Sequence, residues 1–301
     1  MPVAESNRNL PRNPRISVVI ITRNEGDELN ATVTNFLETL PADRRELIVV
    51  DDGSTDGSTA FLDELPDLRL LRSDGVGVAR ARNFGGSHAT GDIILFSDAH
   101  IRAPLGWYEP IVDALRAEST GAVAPGVYSL AEPKRRGFGL FLTGPDLRTQ
   151  WRNRQGLTPS PVPILPGCFL AMRRETFART GGFDPGMRQL GGNDNEISCR
   201  FWLLGYELMV VPEVEVGHLF RKTTPYEARW AALVHNRVRM AFVHFGASRV
   251  ERVLNALRGY NAFPAAMAML LDTDVFARRA LLAGLRRFDD AWYCEKFALD
   301  C

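Results

Sequence analysis

Residues 16–22 read ISVVIIT and residues 91–100 read GDIILFSDAH. An unbroken β-branched apolar run is the pattern of a strand buried on both faces, as happens where helices cover both sides of a parallel sheet. Between these two runs the pattern alternates at short spacing. A helix is predicted over about 28–40, with Leu29, Val33, Phe36, Leu37 and Leu40 on one face. Glu46–Val50 reads as a strand, 55–65 as a helix, 68–71 as a strand and 77–88 as a helix. Strands and helices in that alternation build right-handed βαβ units. The expected fold is therefore α/β, a Rossmann-like, doubly wound and mostly parallel sheet. Such sheets bind ligands just beyond the carboxyl ends of their strands, and polar residues cluster there in this sequence.

Outward from this half the pattern loosens. Residues 1–15 are polar and rich in Pro, Asn and Arg, and are expected to form a flexible tail. Residues 129–161, rich in Arg, Gly and Pro, are expected to be a mobile surface segment. Val162–Met172 is strand-like, 194–204 helical, and 207–211 and 214–217 two strands. From 227 the pattern is helical to the end. The expected division is thus a tail over 1–15, a catalytic domain over 16–226 and a helical region over 227–301.

Lys+Arg and Asp+Glu both number 36, so the chain offers no net charge for nucleic acid or an anionic membrane. No apolar run is long enough to span a bilayer, and no leader is expected at the N-terminus. The four cysteines, Cys168, Cys199, Cys294 and Cys301, lack metal-type spacing and are expected to be reduced thiols of a cytoplasmic protein, with a disulfide between Cys294 and Cys301 as the alternative. The C-terminal helices are apolar on part of each turn, with Arg278, Arg279, Arg286 and Arg287 nearby. They are expected to form a cap or a homodimer surface, with peripheral membrane attachment as the alternative.

Several groups of residues carry chemistry. Asp98 and His100, two apart on a loop leaving a strand, offer carboxylate oxygen and imidazole nitrogen to a divalent ion such as Mn²⁺ or Mg²⁺. Alone, such a pair is also what an ordinary turn contains. His218 follows a strand-like run, and Arg221 three residues later could hold a diphosphate. Asp194 opens a helix after Gly191-Gly192, so it is either an N-cap or a general base. Asp51 and Asp52 end one strand, while Thr22 and Glu25 follow its neighbour. Their polar groups can read a base and a ribose, although Asp-Gly is also common turn chemistry. No Walker or G-x-G-x-x-G pattern is present.

The order of the motifs is more specific than any one of them. ISVVIITRNE, VVDDGSTD, GVARARNFG and GDIILFSDAH resemble glycosyltransferase family 2. DAHIRAPLGWYEPIV, FDPGM, GGNDNEIS, VGHLFR and KTTPY resemble the polypeptide N-acetylgalactosaminyltransferases more closely still. The resemblance covers about 16–226 and implies a GT-A fold, a UDP-sugar donor and Mn²⁺ (or Mg²⁺). It implies Asp98, His100 and His218 as metal ligands. It places Thr22, Asp52, Arg82 and Ala99 on the uridine or its phosphates, and Arg221 and Tyr226 in a loop that closes over the donor.

There are departures. The relatives' Trp-Gly-Gly-Glu-Asn becomes Leu190-Gly191-Gly192-Asn193-Asp194, which leaves the sugar open: a hexose or an N-acetylhexosamine. Thr224 replaces a histidine. Aspartate at 194 matches inverting members, whereas the retaining polypeptide enzymes have asparagine, so inversion with Asp194 as base is expected, with retention as the alternative. The acceptor could be a peptide, a glycan or a small molecule. A rival of another class is an inactive nucleotide-sugar binding module.

Overall fold

The computed structural model describes residues 10–300. Along the chain the elements are β1 (Ile16–Thr22), α1 (Asp27–Thr39), β2 (Arg45–Asp51), β3 (Leu68–Arg72), α2 (Val78–His88) and β4 (Ile93–Asp98). Then come β5 (Ile101–Arg102), α3 (Tyr108–Ala114), β6 (Thr120–Ser129), β7 (Arg136–Gly137), β8 (Leu140–Leu142), β9 (Thr149–Trp151) and β10 (Ser160–Pro161). They are followed by β11 (Phe169–Arg173), α4 (Arg174–Thr180), α5 (Asn193–Leu203) and β12 (Glu207–His218). The chain closes on α6 (Trp230–His244), α7 (Ala247–Leu257), α8 (Phe263–Leu271), α9 (Val275–Ala283) and α10 (Asp290–Lys296).

The main sheet runs β10-β12-β6-β11-β4-β1-β2-β3. β1 pairs in parallel with both β2 and β4, β2 with β3, and β6 with β12, while β11 is inserted antiparallel between β4 and β6. The sheet is therefore mixed rather than mostly parallel in its second half. Successive residues of a strand face opposite sides, and on β1 and β4 both sides are covered. Val19, Ile94 and Phe96 join one apolar core, and Ile16, Val18, Ile20, Ile93 and Leu95 join the other. That is the arrangement expected from the unbroken runs ISVVIIT and DIILFS. The chain leaves β1 towards β2 on one side and returns with β4 on the other. A crevice must therefore open between the carboxyl ends of β1 and β4.

Several expected elements differ. Residues 55–65 form only a short 3₁₀ turn at Ala60–Glu64. The strand-like stretch 162–172 is extended in the sheet only from Phe169. The two strands expected over 207–217 are one strand, β12, whose pairing with β6 slips between Val211 and Glu215, opposite Pro125 and Gly126. Pro125 has no N–H to give to the ladder, and the extra residues on β12 absorb the break. Residues 129–161 are not a loose surface segment. They carry β7 to β10 and bury Phe138, Leu140, Leu142 and Leu147.

Of the expected tail, residues 1–9 lie outside the described residues. Residues 10–15 are pinned: Arg15 N donates to Asp92 Oδ2 at 2.9 Å, and Arg116 Nη2 donates to the Arg12 carbonyl at 3.0 Å.

The C-terminal helices share one apolar core with the sheet, through residues such as Val234, Val238, Leu257 and Tyr293. Buried charges join them as well. Arg239 on α6 donates to both oxygens of Asp184 at 2.8 Å, and His244 Nε2 lies 3.0 Å from Glu196 Oε1 on α5. Cys168 and Cys199 are free, as expected, but Cys294 is a disulfide cysteine whose partner lies outside the described residues. Among the described residues no helix is long and apolar enough to cross a membrane.

Candidate active site

β4 ends at Asp98, and the chain turns through Ala99 and His100 into β5, whose Ile101 pairs with His218 at the end of β12. This short antiparallel bridge brings together three side chains that are far apart in sequence. One ligand atom from each of Asp98, His100 and His218 lies within 4.8 Å of the others. His218 Nε2 is 3.4 Å from Asp98 Oδ2, and the two imidazole rings have their centroids 4.8 Å apart. His100 Nδ1 is 3.0 Å from Glu25 Oε2, which leaves its Nε2 for a ligand. His218 Nδ1 is buried without a partner. One carboxylate and two imidazoles in this arrangement fit a divalent ion of the Mn²⁺ type.

Burial pushes the Asp98 carboxyl up, but the His218 hydrogen bond and the charges of Arg82, His100 and His218 outweigh it and hold it well below the carboxylate range. Burial pushes His100 down, and the hydrogen bond to Glu25 with the charge of Asp98 lifts it above its ordinary value.

These residues line a cavity of about 400 Å³ at the carboxyl ends of β1 and β4, a size that holds a small-molecule ligand. Buried polar atoms are normally paired. Six of the twelve buried side-chain polar atoms without a partner among the described residues belong to residues of this wall: Thr22, Arg23, Arg82, Asn193, His218 and Arg221.

Arg82, on α2, is buried and reaches across the site. Its Nη2 donates to Asp98 Oδ1 at 3.1 Å and to the Gly167 carbonyl at 2.7 Å, and its Nη1 lies 3.5 Å from Asp194 Oδ1. Asp194 is not an N-cap. Helix α5 begins one residue earlier, after Gly192 in the left-handed region at φ 76°. The Asp194 carboxylate instead accepts the Gly167 N–H at 2.9 Å. A β-carbon at 167 would lie 2.1 Å from Asp194 Oδ1, so only glycine admits this approach. Burial raises the Asp194 carboxyl above its ordinary value, against the lowering charge of Arg82.

The other expected residues divide. Thr22, Glu25, Asp52, Ala99, Arg221 and Tyr226 all line the cavity. Glu25 Oε2 also accepts from Arg221 Nη2 at 2.6 Å, so one oxygen joins His100 to the loop after β12. Asp52 accepts from Ser73 Oγ and from the N–H groups of Val76 and Gly77, which shapes the loop before α2. Tyr226 sits beneath the Arg23 guanidinium, 5.4 Å from its ring centroid.

Asp51 does not line the cavity. Its carboxylate takes the Ser54 N–H at 2.8 Å and faces Thr59 Oγ1, which is turn chemistry rather than ligand contact. Arg23 and Asn193 were not expected. Asn193 could have been read from the Gly-Gly run before it, whereas nothing in the sequence marks Arg23.

The profile of glycosyl transferase family 2 matches residues 17–181, more than half of the chain. The chain belongs to glycosyl transferase family 2. A second profile, the N-terminal domain of galactosyltransferase, matches residues 157–223, which include Asp194 and His218.

Polypeptide N-acetylgalactosaminyltransferase 11 of Xenopus tropicalis is 34% identical over 258 residues, covering 77% of this chain and 43% of that protein. The chain thus spans about two fifths of the length of this curated relative. The crystal structure of GalNAc-T7 with UDP, GalNAc and Mn²⁺ superposes with a TM-score of 0.80 at 23% identity, covering 95% of this chain and 57% of that one. A mannosyltransferase of Pyrobaculum calidifontis in complex with GDP-Man and Mn²⁺ gives a TM-score of 0.52 at 22% identity, over 95% of this chain and 84% of that one. At these identities the structures establish the fold, which is GT-A.

Proposed function

We propose that this chain transfers a hexose or N-acetylhexosamine from a UDP-sugar to an acceptor hydroxyl, with a divalent ion held by Asp98, His100 and His218. One observation carries the reading: three ligand side chains from two strand ends converge within 4.8 Å in the wall of a cavity at the switch point of the sheet. A Mn²⁺ ion there would supply positive charge to the diphosphate as it departs. UDP and Mn²⁺ are present in the GalNAc-T7 structure that shares this fold.

The chain's own residues have separate tasks. Arg82 holds Asp98 in place as a metal ligand and keeps it ionised. Thr22, whose hydroxyl is buried and unpaired in the cavity wall, is assigned to the nucleotide. Arg221, whose Nε is also unpaired, reaches the diphosphate and adds to its neutralisation. The loop 221–226 covers the donor and excludes the water that would hydrolyse it.

The stereochemical outcome follows the relatives more than the single residue at 194. The matched relatives are named polypeptide N-acetylgalactosaminyltransferases, and it is the resemblance to that group that implies retention. Retention, with a peptide hydroxyl as acceptor, is therefore the first reading. Inversion is the second, and the carboxylate of Asp194 favours it, since this side chain lines the cavity and burial raises its proton affinity towards that of a base. Calorimetry with UDP, with and without Mn²⁺, tests the shared part. Tight binding only with metal supports it; equal binding in both, or none, defeats it.

A further inference from the structure

We infer that the acceptor is an acidic peptide, drawn to a cationic surface built by residues 130–156 beside the donor cavity. The inference rests on the transferase reading above and names its acceptor class. The chain as a whole has no net charge, yet this segment carries six basic residues against two acidic ones, Glu132 and Asp146.

Three of the six cations have carboxylate partners: Arg136 and Arg154 share Glu215, and Arg148 pairs with Asp146. Lys134, Arg135 and Arg152 have no carboxylate partner among the described residues, and Lys134 and Arg135 are exposed. Lys222, exposed on the loop that borders the cavity, adds a fourth.

The position of these charges connects them to the site. The Ser129–Arg135 turn is closed by the bond from Ser129 N to the Arg135 carbonyl. Its Leu130 N–H donates to the carbonyl of His218, a residue of the metal-ligand set, at 3.0 Å. The Arg135 guanidinium lies 5.9 Å from the ring centroid of Phe220, and Phe220 lines the cavity. Trp151, on β9, meets the same ring edge-on at 6.0 Å, and Arg152 follows it directly. Arg135 thus sits against a residue of the cavity wall, Lys134 precedes it in the same exposed turn, Arg152 follows the Trp151 that packs on the same ring, and Lys222 lies on the loop bordering the cavity. Exposed arginine and lysine hold long side chains in water at little cost when they are isolated. Gathered on one face they repel one another, and an anionic ligand relieves that repulsion. A peptide with Asp or Glu flanking the acceptor hydroxyl supplies such charge at the spacing of successive residues.

The test is fluorescence anisotropy at low salt, with UDP and Mn²⁺ present, using labelled peptides of equal length whose single serine is flanked by Glu, Ala or Lys. The Glu peptide is expected to bind about tenfold or more tighter than the Ala peptide, and the advantage should shrink strongly at high salt, where the Debye length is ~3 Å. The triple variant K134E/R135E/R152E should lose the preference, with the milder K134Q/R152Q reducing it, while calorimetric UDP–Mn²⁺ binding stays unchanged. Equal binding of the three peptides, with UDP–Mn²⁺ binding intact, overturns the inference alone. Loss of UDP–Mn²⁺ binding in the unmodified protein would instead defeat the transferase reading. Binding to phosphatidylserine vesicles that the triple variant abolishes, with no preference among peptides, would assign the surface to a membrane and also overturn the inference.

Discussion

Glu25 Oε2 lies 3.0 Å from His100 Nδ1, so a carboxylate from the loop after β1 fixes the tautomer of an imidazole in the loop after β4. The proton belongs on Nδ1, and the Nε2 lone pair is presented to the site. Removing such an outer partner typically costs a metal site about 10–100-fold in affinity. Glu25→Gln is therefore expected to weaken Mn²⁺ binding by about that factor, measured calorimetrically in the presence of UDP, while the far-ultraviolet circular dichroism stays unchanged.

The same contact sets a pH dependence. Burial lowers His100, but Glu25 and Asp98 raise it above the ordinary histidine value in the metal-free protein. A group raised in the folded state adds stability that is full below its unfolded value of about 6.5 and is lost as pH rises through the folded value. A metal needs the neutral ring, so it competes with that proton. Mn²⁺ affinity should fall steadily as pH drops through the raised value. The onset should move to lower pH in Glu25→Gln. A flat profile from pH 8 to pH 6 would contradict this.

Asp194 separates the two stereochemical readings. If it is the base, Asp194→Asn should lower turnover by roughly 10²-fold or more while UDP–Mn²⁺ binding survives. If the enzyme retains configuration, the leaving phosphate can take the acceptor's proton, and the variant should keep most of its rate. Proton NMR of the freshly formed product gives the anomeric outcome directly. Retention combined with a rate near that of the parent is the result expected from the relatives.

Arg239 ties the C-terminal helices to the rest of the fold. It is fully buried, donates twice to the buried Asp184 and once to Asp274 at 2.7 Å, and replacing it strands a buried carboxylate. Losing one member of a buried pair costs about 3–5 kcal/mol. Arg239→Met should lower stability by that order in urea unfolding, partly offset by Arg278, whose Nε stays 3.2 Å from Asp184. Asp184→Asn with Arg239→Met should recover part of the loss.

The first half of the fold was legible because the strands ISVVIIT and DIILFS are buried on both faces, and a covered parallel strand is where an unbroken β-branched run of that length belongs. β6 was not legible. Its TGAVAPGVYS contains two glycines and a proline, which read as breakers, and it is held by pairing with β12 that no local pattern reveals. The segment 129–161 misled for a related reason: its apolar residues Phe138, Leu140 and Leu142 are few and set among arginines, and only the tertiary contacts show them buried. In the site, motif order singled out Asp98, His100 and His218, which the structure brings together, whereas Asp51 and Asp52 look alike in sequence. Successive residues at a strand end point to opposite sides, and only Asp52 points into the cavity.

The central claim is that Asp98, His100 and His218 hold one divalent ion. Pulsed electron paramagnetic resonance of Mn²⁺ bound with UDP tests it most directly, because imidazole nitrogen coupled to the ion gives its own modulation. The parent protein should show two coupled histidine nitrogens, and His100→Ala and His218→Ala should each show one. A spectrum without histidine coupling, or one unchanged in both variants, would contradict the account.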